Sequence, residues 1–280
     1  MFKTLIHDPL PTTALTDGSV AYAIGDVHGS AKTLCALLEA IKPFYTDDLD
    51  AGKTVYLVFL GDYTDRGKNN LAAIDLIMDR SSRDARLNQI DLVGNHDMMV
   101  LLSLRDNSRS HIECWVNNGG HTVIEELLGP RANFDIGSAA SKMGGDRLEW
   151  FAGLQTHFKI GNTIFVHAGI NPIVREESLE RYCGMPWKND PDFAWLRGDF
   201  LNYERLENDP IPTLLDTHCV VHGHTPNPPT ILLHRIGLDT GCFYTGIMTA
   251  VRVCDGSARF IQCYDENTPR PEWLVIKTEG

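Results

Sequence analysis

Two carboxylates and one guanidinium lie within a short segment, residues 61–67, that begins and ends with glycine. The run before it, residues 54–60, is apolar and rich in β-branched and aromatic side chains, so it predicts a buried strand. Asp62, Asp65 and Arg66 should therefore stand at the carboxyl end of a strand, which is where open α/β sheets bind their ligands. The segment predicts a functional site.

The same arrangement of an apolar run and a polar turn occurs twice more. Residues 20–24 lead into a turn with an aspartate and a histidine, and residues 89–93 lead into a turn with an asparagine and a histidine. Parallel strands would bring these turns to one edge of a sheet. The polar residues gathered there are Asp26, His28, Asp62, Asp65, Arg66, Asn95 and His96.

Six residues at predicted strand ends have the side chains of metal ligands: Asp26, His28, Asp62, Asn95, His167 and His224. Oxygen and imidazole nitrogen donors without sulfur suit Mn²⁺ or Fe better than a structural zinc. If one of the carboxylates ligates two ions, there are more donor positions than one ion uses. The set then predicts a binuclear centre. A bridging carboxylate holds two ions about 3.5–4 Å apart, and a water shared by both can supply hydroxide near neutral pH.

The elements that must position these residues alternate in the first part of the chain. The three strands are separated by two amphipathic helices, one that ends before Pro43 and one over residues 69–80. A polar loop is predicted over residues 47–52, and a short helix over residues 98–104 follows the third strand. This β-α-β-α-β-α order predicts parallel strands with right-handed crossovers.

The second part of the chain predicts mixed structure. Residues 131–145 are rich in glycine, serine and alanine and are interpreted as a mobile surface segment near the site. Residues 157–166 predict a hairpin, and residues 171–212 are predicted to be helical and polar, with Arg197 inside a helix. Further strands are predicted over residues 219–221, 230–238, 246–253 and 258–264, the last two as antiparallel neighbours. Two sheets in one domain over residues 1–280 are expected.

The composition is that of a folded, acidic protein. Hydrophobic residues make up 43% of the 280 residues, and 25 Lys and Arg against 37 Asp and Glu give a formal net charge of −12. Nucleic acid and anionic membranes require a basic face, so neither is expected as a partner. The seven scattered cysteines favour reduced thiols, and no apolar run reaches the length of a membrane span. A cytoplasmic protein is predicted.

Five motifs follow one another in order, each after a predicted strand: Gly25-Asp-Val-His-Gly29, Gly61-Asp-Tyr-Thr-Asp-Arg-Gly67, Gly94-Asn-His-Asp97, His167-Ala-Gly169 and Gly223-His-Thr225. The set resembles the calcineurin-like metallophosphoesterases, and more narrowly the bacterial and phage branch of the phosphoprotein phosphatases. Further marks of that branch are Trp115-Val-Asn-Asn-Gly-Gly120, Trp195-Leu-Arg197 and Leu238-Asp-Thr-Gly241. The resemblance covers roughly residues 20–252 and implies an α/β/β/α sandwich of two mixed sheets flanked by helices.

The resemblance also implies a role for each matching residue. Six residues would ligate two metals, the first three on one ion and the last three on the other: Asp26, His28 and Asp62; Asn95, His167 and His224. Asp62 would bridge both. The ions would be divalent, with Mn²⁺ in first place and Fe or Zn as alternatives. Hydrolysis would be a direct attack of metal-bound hydroxide on phosphorus, without a phosphoenzyme.

Four more residues would act on the phosphate and the leaving group. Arg66 and Arg197 would grip the phosphate oxygens, because a planar guanidinium suits a bidentate contact. His96 would be the general acid that protonates the leaving alkoxide, and Asp65 would orient its ring. Taken singly, each residue has an ordinary alternative: aspartates after glycine often form turns, and Arg197 could form a surface salt bridge.

The substrate stays open between two enzymes and a scaffold. A phosphomonoesterase acting on phosphoserine, phosphothreonine or phosphotyrosine in proteins, and on small phosphomonoesters, is favoured because Asp65 and Arg66 are both present. Asp97 and the segment 238–242 also resemble diadenosine tetraphosphate hydrolases, the alternative. A non-catalytic scaffold should have lost metal ligands or the pair of His96 and Asp65, which this chain keeps.

Overall fold

The structure is a computed structural model that describes residues 1–130, 135–184, 191–204 and 212–267 and the backbone of residues 277–278. In this part of the chain the strands are β1 (Phe2–Ile6), β2 (Leu10–Pro11), β3 (Val20–Ile24), β4 (Val55–Phe59), β5 (Asn88–Asp91), β6 (His157–Ile160), β7 (Thr163–Val166), β8 (Cys219–His222), β9 (Thr230–Ile231), β10 (Arg235–Gly237), β11 (Ile247–Cys254), β12 (Ser257–Asp265) and β13 (Lys277–Thr278). The α-helices are α1 (Ala31–Asp50), α2 (Asn70–Met78), α3 (Asn95–Asp106), α4 (Arg109–Trp115), α5 (His121–Leu128), α6 (Ile136–Met143), α7 (Gly145–Ala152), α8 (Leu179–Cys183), α9 (Asp192–Trp195), α10 (Gly198–Leu201) and α11 (Cys242–Thr245).

These strands form two mixed sheets. The first has the order β1-β12-β11-β3-β4-β5, with β2 beside β12; its β3, β4 and β5 are parallel, and its β1, β12, β11 and β3 are antiparallel neighbours. The second has the order β13-β9-β10-β8-β7-β6, with β10, β8 and β7 parallel. The predicted fold class, two mixed sheets flanked by helices, is confirmed, as is the antiparallel pair of β11 and β12.

The alternation of side chains along β3 shows how the layers are arranged. Val20, Tyr22 and Ile24 belong to an apolar cluster that contains the buried face of α1. Ala21 and Ala23 belong to a second cluster, which contains residues of both sheets. Because successive side chains of a strand point to opposite faces, the first sheet packs against helices on one side and against the second sheet on the other.

The first helix is longer than predicted. α1 continues through Pro43 to Asp50, so the prediction of a helix end before Pro43 and of a loop from residue 47 is wrong. Tyr45, Asp48 and Leu49 are buried along these last turns. Tertiary contacts therefore outweigh the local effect of the proline, which removes one N–H donor from the helix.

The predicted mobile segment is a helix over most of its described length. Residues 136–143 form α6, because the apolar side of this segment is buried through Ala139 and Met143. Residues 131–134 lie outside the described residues. The small side chains of this segment favoured the loop prediction. The spacing of its apolar residues, which places them on one helical face, decides the structure.

The predicted helix around Arg197 is divided. α9 ends at Trp195, and Arg197 has a non-helical backbone, with φ −131° and ψ −94°, immediately before α10. Parts of the predicted helical stretch, residues 185–190 and 205–211, lie outside the described residues. Arg197 therefore belongs to a junction between two one-turn helices.

The first strand of the chain was not predicted. β1 pairs antiparallel with β12, with Phe2 opposite Asp265. The sequence did not predict this strand, because four of its five residues are exposed and no apolar alternation marks it. Within the described ranges, no helix has the length and apolar character needed to span a bilayer.

Candidate metal centre

Backbone and side-chain hydrogen bonds join the turns that follow β3, β4 and β5. The N–H groups of Val27 and His28 both donate to the carbonyl oxygen of Asp62, at 3.1 and 2.9 Å. The N–H of His96 donates to Asp62 Oδ1 at 2.9 Å. The three predicted site segments are thus one structural unit with Asp62 at its centre.

Left-handed backbone conformations are concentrated in this site. Among the described residues, seven non-glycine positions have positive φ, and five of them are His28 (41°), Asp62 (54°), Asp65 (71°), Arg66 (64°) and His224 (67°). This conformation costs an L-residue roughly 1–2 kcal/mol. Such strain persists where the surrounding structure over-determines it, and it clusters at functional sites.

Two glycines allow the backbone to approach the carboxylates. A side chain at Gly94 would overlap the carboxylate of Asp62, and a side chain at Gly223 would overlap Asp26 Oδ1. Both glycines stand directly before a predicted metal ligand in the sequence, Asn95 and His224 respectively. Space therefore requires glycine at these two positions of the motifs.

Asp62 is the shared member of two groups of potential metal ligands. Its Oδ2 atom lies 3.5 Å from His28 Nε2 and 3.3 Å from His167 Nε2. One group combines Asp62 with His28 and His96, the other combines it with His167 and His224, and the donor atoms within each group lie within 4.8 Å of one another. A shared carboxylate is what the predicted bridging role requires. The ligand roles themselves stay predictions.

Asn95 and Asp26 complete the set of six. Asn95 Oδ1 lies 3.2 Å from His167 Nε2 and 3.0 Å from His224 Nδ1. Asp26 Oδ2 lies 4.0 Å from His28 Nε2, and the two Asp26 oxygens accept the backbone N–H of His224 at 3.0 and 3.2 Å. The structure therefore brings all six predicted ligands together.

Carbonyl groups outside the cluster fix the orientation of two histidine rings. His28 Nδ1 lies 2.8 Å from the carbonyl oxygen of Thr64, and His167 Nδ1 lies 2.8 Å from that of Leu60. A carbonyl oxygen only accepts, so each Nδ1 carries the proton that it donates. In the neutral rings Nε2 then presents a lone pair to the cluster, as metal ligation needs.

Asp97 positions the central carboxylate, a role that sequence reasoning missed. Its side chain accepts the backbone N–H groups of Asp62 at 2.7 Å, Tyr63 at 3.0 Å and Gly94 at 2.8 Å. Asp97 stands three residues after Gly94, the N-cap of α3, which is the spacing of a capping box. That spacing is a signal that the sequence alone contains.

Five buried carboxylates concentrate negative charge at the site: Asp26, Asp62, Asp65, Asp97 and Asp239. Burial raises the pKa of Asp26, and the charge of Asp239 raises it further; burial and the charge of Asp62 likewise raise the pKa of Asp97. Burial opposes ionisation of Asp62 too, but the surrounding histidines, His167 foremost, hold its pKa well below the usual range. Buried carboxylates need compensating charge, so this donor set fits divalent cations.

A chain of hydrogen bonds holds His96. Its Nδ1 lies 2.7 Å from Asp65 Oδ2, and the indole N–H of Trp115 donates to Asp65 Oδ1 at 2.9 Å. All three side chains are buried. His96 Nε2 is also buried and has no hydrogen-bond partner in the described part of the chain, and a ring nitrogen of His96 belongs to one donor group around Asp62. This arrangement fits a proton donor at the reacting phosphate.

Two arginines contact histidines of the cluster. Arg66 Nη1 lies 2.9 Å from His28 Nε2, and Arg197 Nε donates to His224 Nε2 at 3.1 Å. Arg66 is half-buried, whereas Arg197 is exposed. One imidazole lone pair cannot serve both an arginine and a metal, so this contact of Arg66 and the predicted ligation by His28 Nε2 exclude each other.

His222 lies outside both donor groups. Its Nδ1 is 3.0 Å from the carbonyl oxygen of Gly223, and its Nε2 is 3.3 Å from Arg235 Nη1. Its ring packs edge-on against Phe200, with centroids 5.0 Å apart. These contacts give His222 partners of its own, and of the two histidines only His224 belongs to a donor group; the ligand role of His224 stays a prediction.

The fold and the donor groups define the class of protein. A family model described as calcineurin-like phosphoesterase matches residues 21–244, and the chain belongs to that family. It is therefore a metallophosphoesterase, a hydrolase of phosphoester bonds. The two donor groups that share Asp62 fit the binuclear divalent centre of the family.

Relatives with two different activities are similar to this chain. The chain is 26% identical over 243 residues to the asymmetrical bis(5'-nucleosyl)-tetraphosphatase PrpE of Geobacillus sp. (strain WCH70), covering 82% of this chain and 88% of that protein. It is 26% identical over 159 residues to Shewanella-like protein phosphatase 1 of Plasmodium berghei (strain Anka), covering 56% and 41%. A solved structure described as a candidate diadenosine tetraphosphatase has a TM-score of 0.51 at 18% identity, covering 90% of this chain and 96% of that one. This last similarity shows the fold alone.

Proposed function

We propose that the protein is a metal-dependent phosphomonoesterase that acts on phosphoserine and phosphothreonine in proteins. The observation that carries the proposal is the buried ring of His96, with one nitrogen on Asp65 and the other without a partner among the described residues. The metals would be held by Asp26, His28, Asp62, Asn95, His167 and His224. Two divalent ions, Mn²⁺ in first place, when bound activate a water and neutralise charge on the phosphoryl oxygens.

The need for a general acid depends on the leaving group. A serine alkoxide is a much stronger base than the phosphate anion released from a phosphoanhydride. Cleavage of phosphoserine therefore gains from a proton delivered to the leaving oxygen, whereas cleavage of a phosphoanhydride gains little. The hydrogen-bonded chain of Trp115, Asp65 and His96 supports an ester of an alcohol as the substrate.

The charge around the cluster supports a terminal phosphoryl group. A phosphomonoester presents three non-bridging oxygens, which Arg66, Arg197 and the metals can share. Both arginines already lie within hydrogen-bond distance of predicted metal ligands. The net charge of −12 gives a long polyanion no general attraction.

The second candidate is hydrolysis of dinucleoside tetraphosphates. The similarity to the Geobacillus tetraphosphatase favours it, because that similarity extends over 82% of this chain. Against it, an internal phosphoryl group offers fewer free oxygens to Arg66 and Arg197. Such a substrate also brings a leaving group that has little need of His96.

A panel of substrates decides between the two candidates. The purified protein is stripped with a chelator, reloaded with Mn²⁺ and assayed on phosphoserine and phosphothreonine peptides, p-nitrophenyl phosphate and diadenosine tetraphosphate. We expect chelation to abolish activity and Mn²⁺ to restore it. We also expect kcat/KM to be at least about tenfold higher for the phosphopeptides, which is about 1.4 kcal/mol in transition-state stabilisation. A higher value for diadenosine tetraphosphate would establish the second candidate instead.

The proposal includes partners and location. The partners are phosphoproteins or phosphopeptides and small phosphomonoesters, with neither nucleic acid nor a membrane. All seven cysteines lie in the described ranges, and none of them forms a disulfide there. This supports a cytoplasmic location, because disulfides are rare in cytosolic proteins.

A further inference from the structure

Two aromatic side chains are exposed beside the predicted metal ligands. Phe243 and Tyr244 lie in the short helix α11, where Cys242 and Thr245 are buried and anchor the turn. Phe243 is 38% exposed and Tyr244 is 51% exposed. Their rings contact each other edge to face, with centroids 4.9 Å apart. Exposed apolar side chains that adjoin a site mark a surface that a ligand can cover.

Phe243 also contacts two residues of the site itself. Its ring centroid lies 5.5 Å from that of His28, and the guanidinium carbon of Arg66 lies 5.4 Å from it. The aromatic pair is therefore continuous with the groups that are predicted to hold metal and phosphate.

We infer that Phe243 and Tyr244 form a subsite for an aromatic ring attached directly to the phosphate, and that contact with this ring raises kcat/KM for aryl phosphates relative to alkyl phosphates. The biological form of such a substrate is phosphotyrosine in a peptide. The inference rests on the proposed function, because it requires a phosphomonoester held by Arg66.

The distances limit which part of a substrate can reach the pair. A phosphate oxygen bound by Arg66 lies about 2.9 Å from a guanidinium nitrogen, and the group esterified to that phosphate begins one bond further on. Since the guanidinium is 5.4 Å from the Phe243 centroid, a ring on the ester oxygen falls within contact of Phe243. A nucleobase is held away from phosphorus by a ribose and would extend past this position.

The backbone of the turn fixes where the pair stands. Gly241 has φ 63°, and a side chain there would overlap the ring of Tyr244. The hydroxyl of Thr245 donates to the carbonyl oxygens of Thr240, at 2.8 Å, and Gly241, at 3.0 Å. The rings are thus positioned before any ligand arrives, which lowers the entropy lost on stacking.

The test compares two substitutions at one position. Phe243→Leu keeps an apolar side chain but removes the aromatic face, whereas Phe243→Trp keeps an aromatic face. Leu15→Ala is the control, because Leu15 is exposed and its backbone N–H bonds to Asn162, in the hairpin turn remote from His167. For each variant with Mn²⁺, kcat/KM is measured on one peptide in its phosphotyrosine and phosphoserine forms and on diadenosine tetraphosphate.

We expect Phe243→Leu to lower the ratio of the phosphotyrosine value to the phosphoserine value by roughly three- to tenfold, the range of one aromatic contact. Phe243→Trp should keep the ratio within about twofold of the wild type, and so should Leu15→Ala. The different pKa values of the two leaving groups do not affect this comparison, because the kcat/KM of each substrate in a variant is compared with its own wild-type value. An unchanged ratio in Phe243→Leu would overturn the inference, since Phe243 would then act only through Arg66.

Two other results would also overturn it, in distinguishable ways. A loss confined to diadenosine tetraphosphate would make the pair a nucleobase platform. Failure of the wild-type protein to hydrolyse either phosphopeptide would refute the proposed function, and the inference with it, before any variant is measured.

Discussion

His96 and Asp65 are joined by a 2.7 Å hydrogen bond, and neither side chain is accessible to solvent. The bond uses His96 Nδ1 and leaves Nε2 buried without a hydrogen-bond partner among the described residues. Asp65 has left-handed backbone, with φ 71°, and its second oxygen accepts from Trp115. The carboxylate is therefore held from two sides, and the orientation of His96 follows from it.

Substitution of His96 should affect substrates according to their leaving groups. A general acid contributes about 10²–10⁴-fold, and most where the leaving group is poor. His96→Asn should lower kcat for a phosphoserine peptide within that range and lower kcat for p-nitrophenyl phosphate much less. Steady-state kinetics on both substrates measure the difference. Equal losses on the two would show that His96 serves the metal or the phosphate.

Trp115 should contribute to stability and to the difference in kcat between the phosphoserine peptide and p-nitrophenyl phosphate. Trp115→Phe removes the N–H that Asp65 Oδ1 accepts and leaves a buried acceptor unsatisfied, at about 1–3 kcal/mol. We expect a loss of that size in the free energy of unfolding in urea, and a smaller shift in the ratio of the two kcat values than His96→Asn gives. Trp150→Phe, which removes a donor to Asp91 at 3.1 Å, is the control and should leave the ratio unchanged. An unchanged ratio in Trp115→Phe would reduce its role to packing.

The strand-end turns could be predicted because each depends on local chemistry. Asp62, His28 and Asn95 follow apolar runs and stand next to glycines that the close backbone contacts require. The roles of Asp97 and Trp115 depend on partners far away in sequence: Asp97 accepts from Asp62 and Tyr63, and Trp115 donates to Asp65. Local patterns predict which residues end a strand, but they do not predict such tertiary hydrogen bonds.

The same distinction explains the errors in secondary structure. Pro43 predicts the end of a helix, yet α1 continues because Tyr45, Asp48 and Leu49 are buried against the rest of the fold. β1 has no apolar alternation and is formed by pairing with β12. Propensity is a weak guide where tertiary contacts decide.

The shared position of Asp62 predicts how the metals are lost. Asp62→Asn should weaken the binding of both ions, because Asp62 belongs to both donor groups, whereas His28→Ala should mainly weaken one. Elemental analysis of the purified variants measures the metal content per chain. His7→Ala removes a ring that follows the edge strand β1 and bonds to Gln262 of β12 at 2.9 Å, outside both donor groups, and it should keep the wild-type content. Two tightly held metals in Asp62→Asn would refute the bridge.

An ion pair far from the site determines part of the pH dependence of stability. Arg252 donates to Asp48 through Nε at 2.7 Å and Nη2 at 2.6 Å, and the hydroxyl of Tyr22 donates to Asp48 as well. Burial raises the pKa of Asp48, but the bonds from Arg252 and Tyr22 outweigh burial and lower the pKa. A carboxyl group with a lowered folded-state pKa contributes stability above its unfolded pKa of about 3.9, and this is lost as the pH falls through the folded pKa.

Arg252→Met should therefore lower the free energy of unfolding by about 1.5–3 kcal/mol at neutral pH. The difference from the wild type should shrink as the pH falls below about 4, because Asp48 becomes protonated in both proteins. Urea denaturation at neutral and acid pH measures this. Arg86→Ala breaks an exposed pair with Asp84 and should change stability much less. A difference that is independent of pH would assign the effect to packing.

Arg197 should contribute through phosphate binding. It is exposed at the junction of α9 and α10, and its Nε donates to His224 Nε2, which places the guanidinium at the edge of the cluster. Arg197→Ala removes charge-assisted hydrogen bonds to phosphate and should lower kcat/KM for a phosphoserine peptide about ten- to hundredfold, mainly by raising KM. Inorganic phosphate should inhibit the variant more weakly by a similar factor.

A lysine at position 197 distinguishes the contribution of positive charge to phosphate binding from that of the planar guanidinium. Arg197→Lys keeps the positive charge but cannot make the planar bidentate contact, so it should recover only part of the loss. Arg86→Ala serves again as the control, because Arg86 precedes β5 and lies at the opposite end of the strand from Asn95. Full recovery in Arg197→Lys would mean that charge alone is needed. An unchanged KM in Arg197→Ala would leave the phosphate to Arg66 and the metals and refute the predicted role of Arg197.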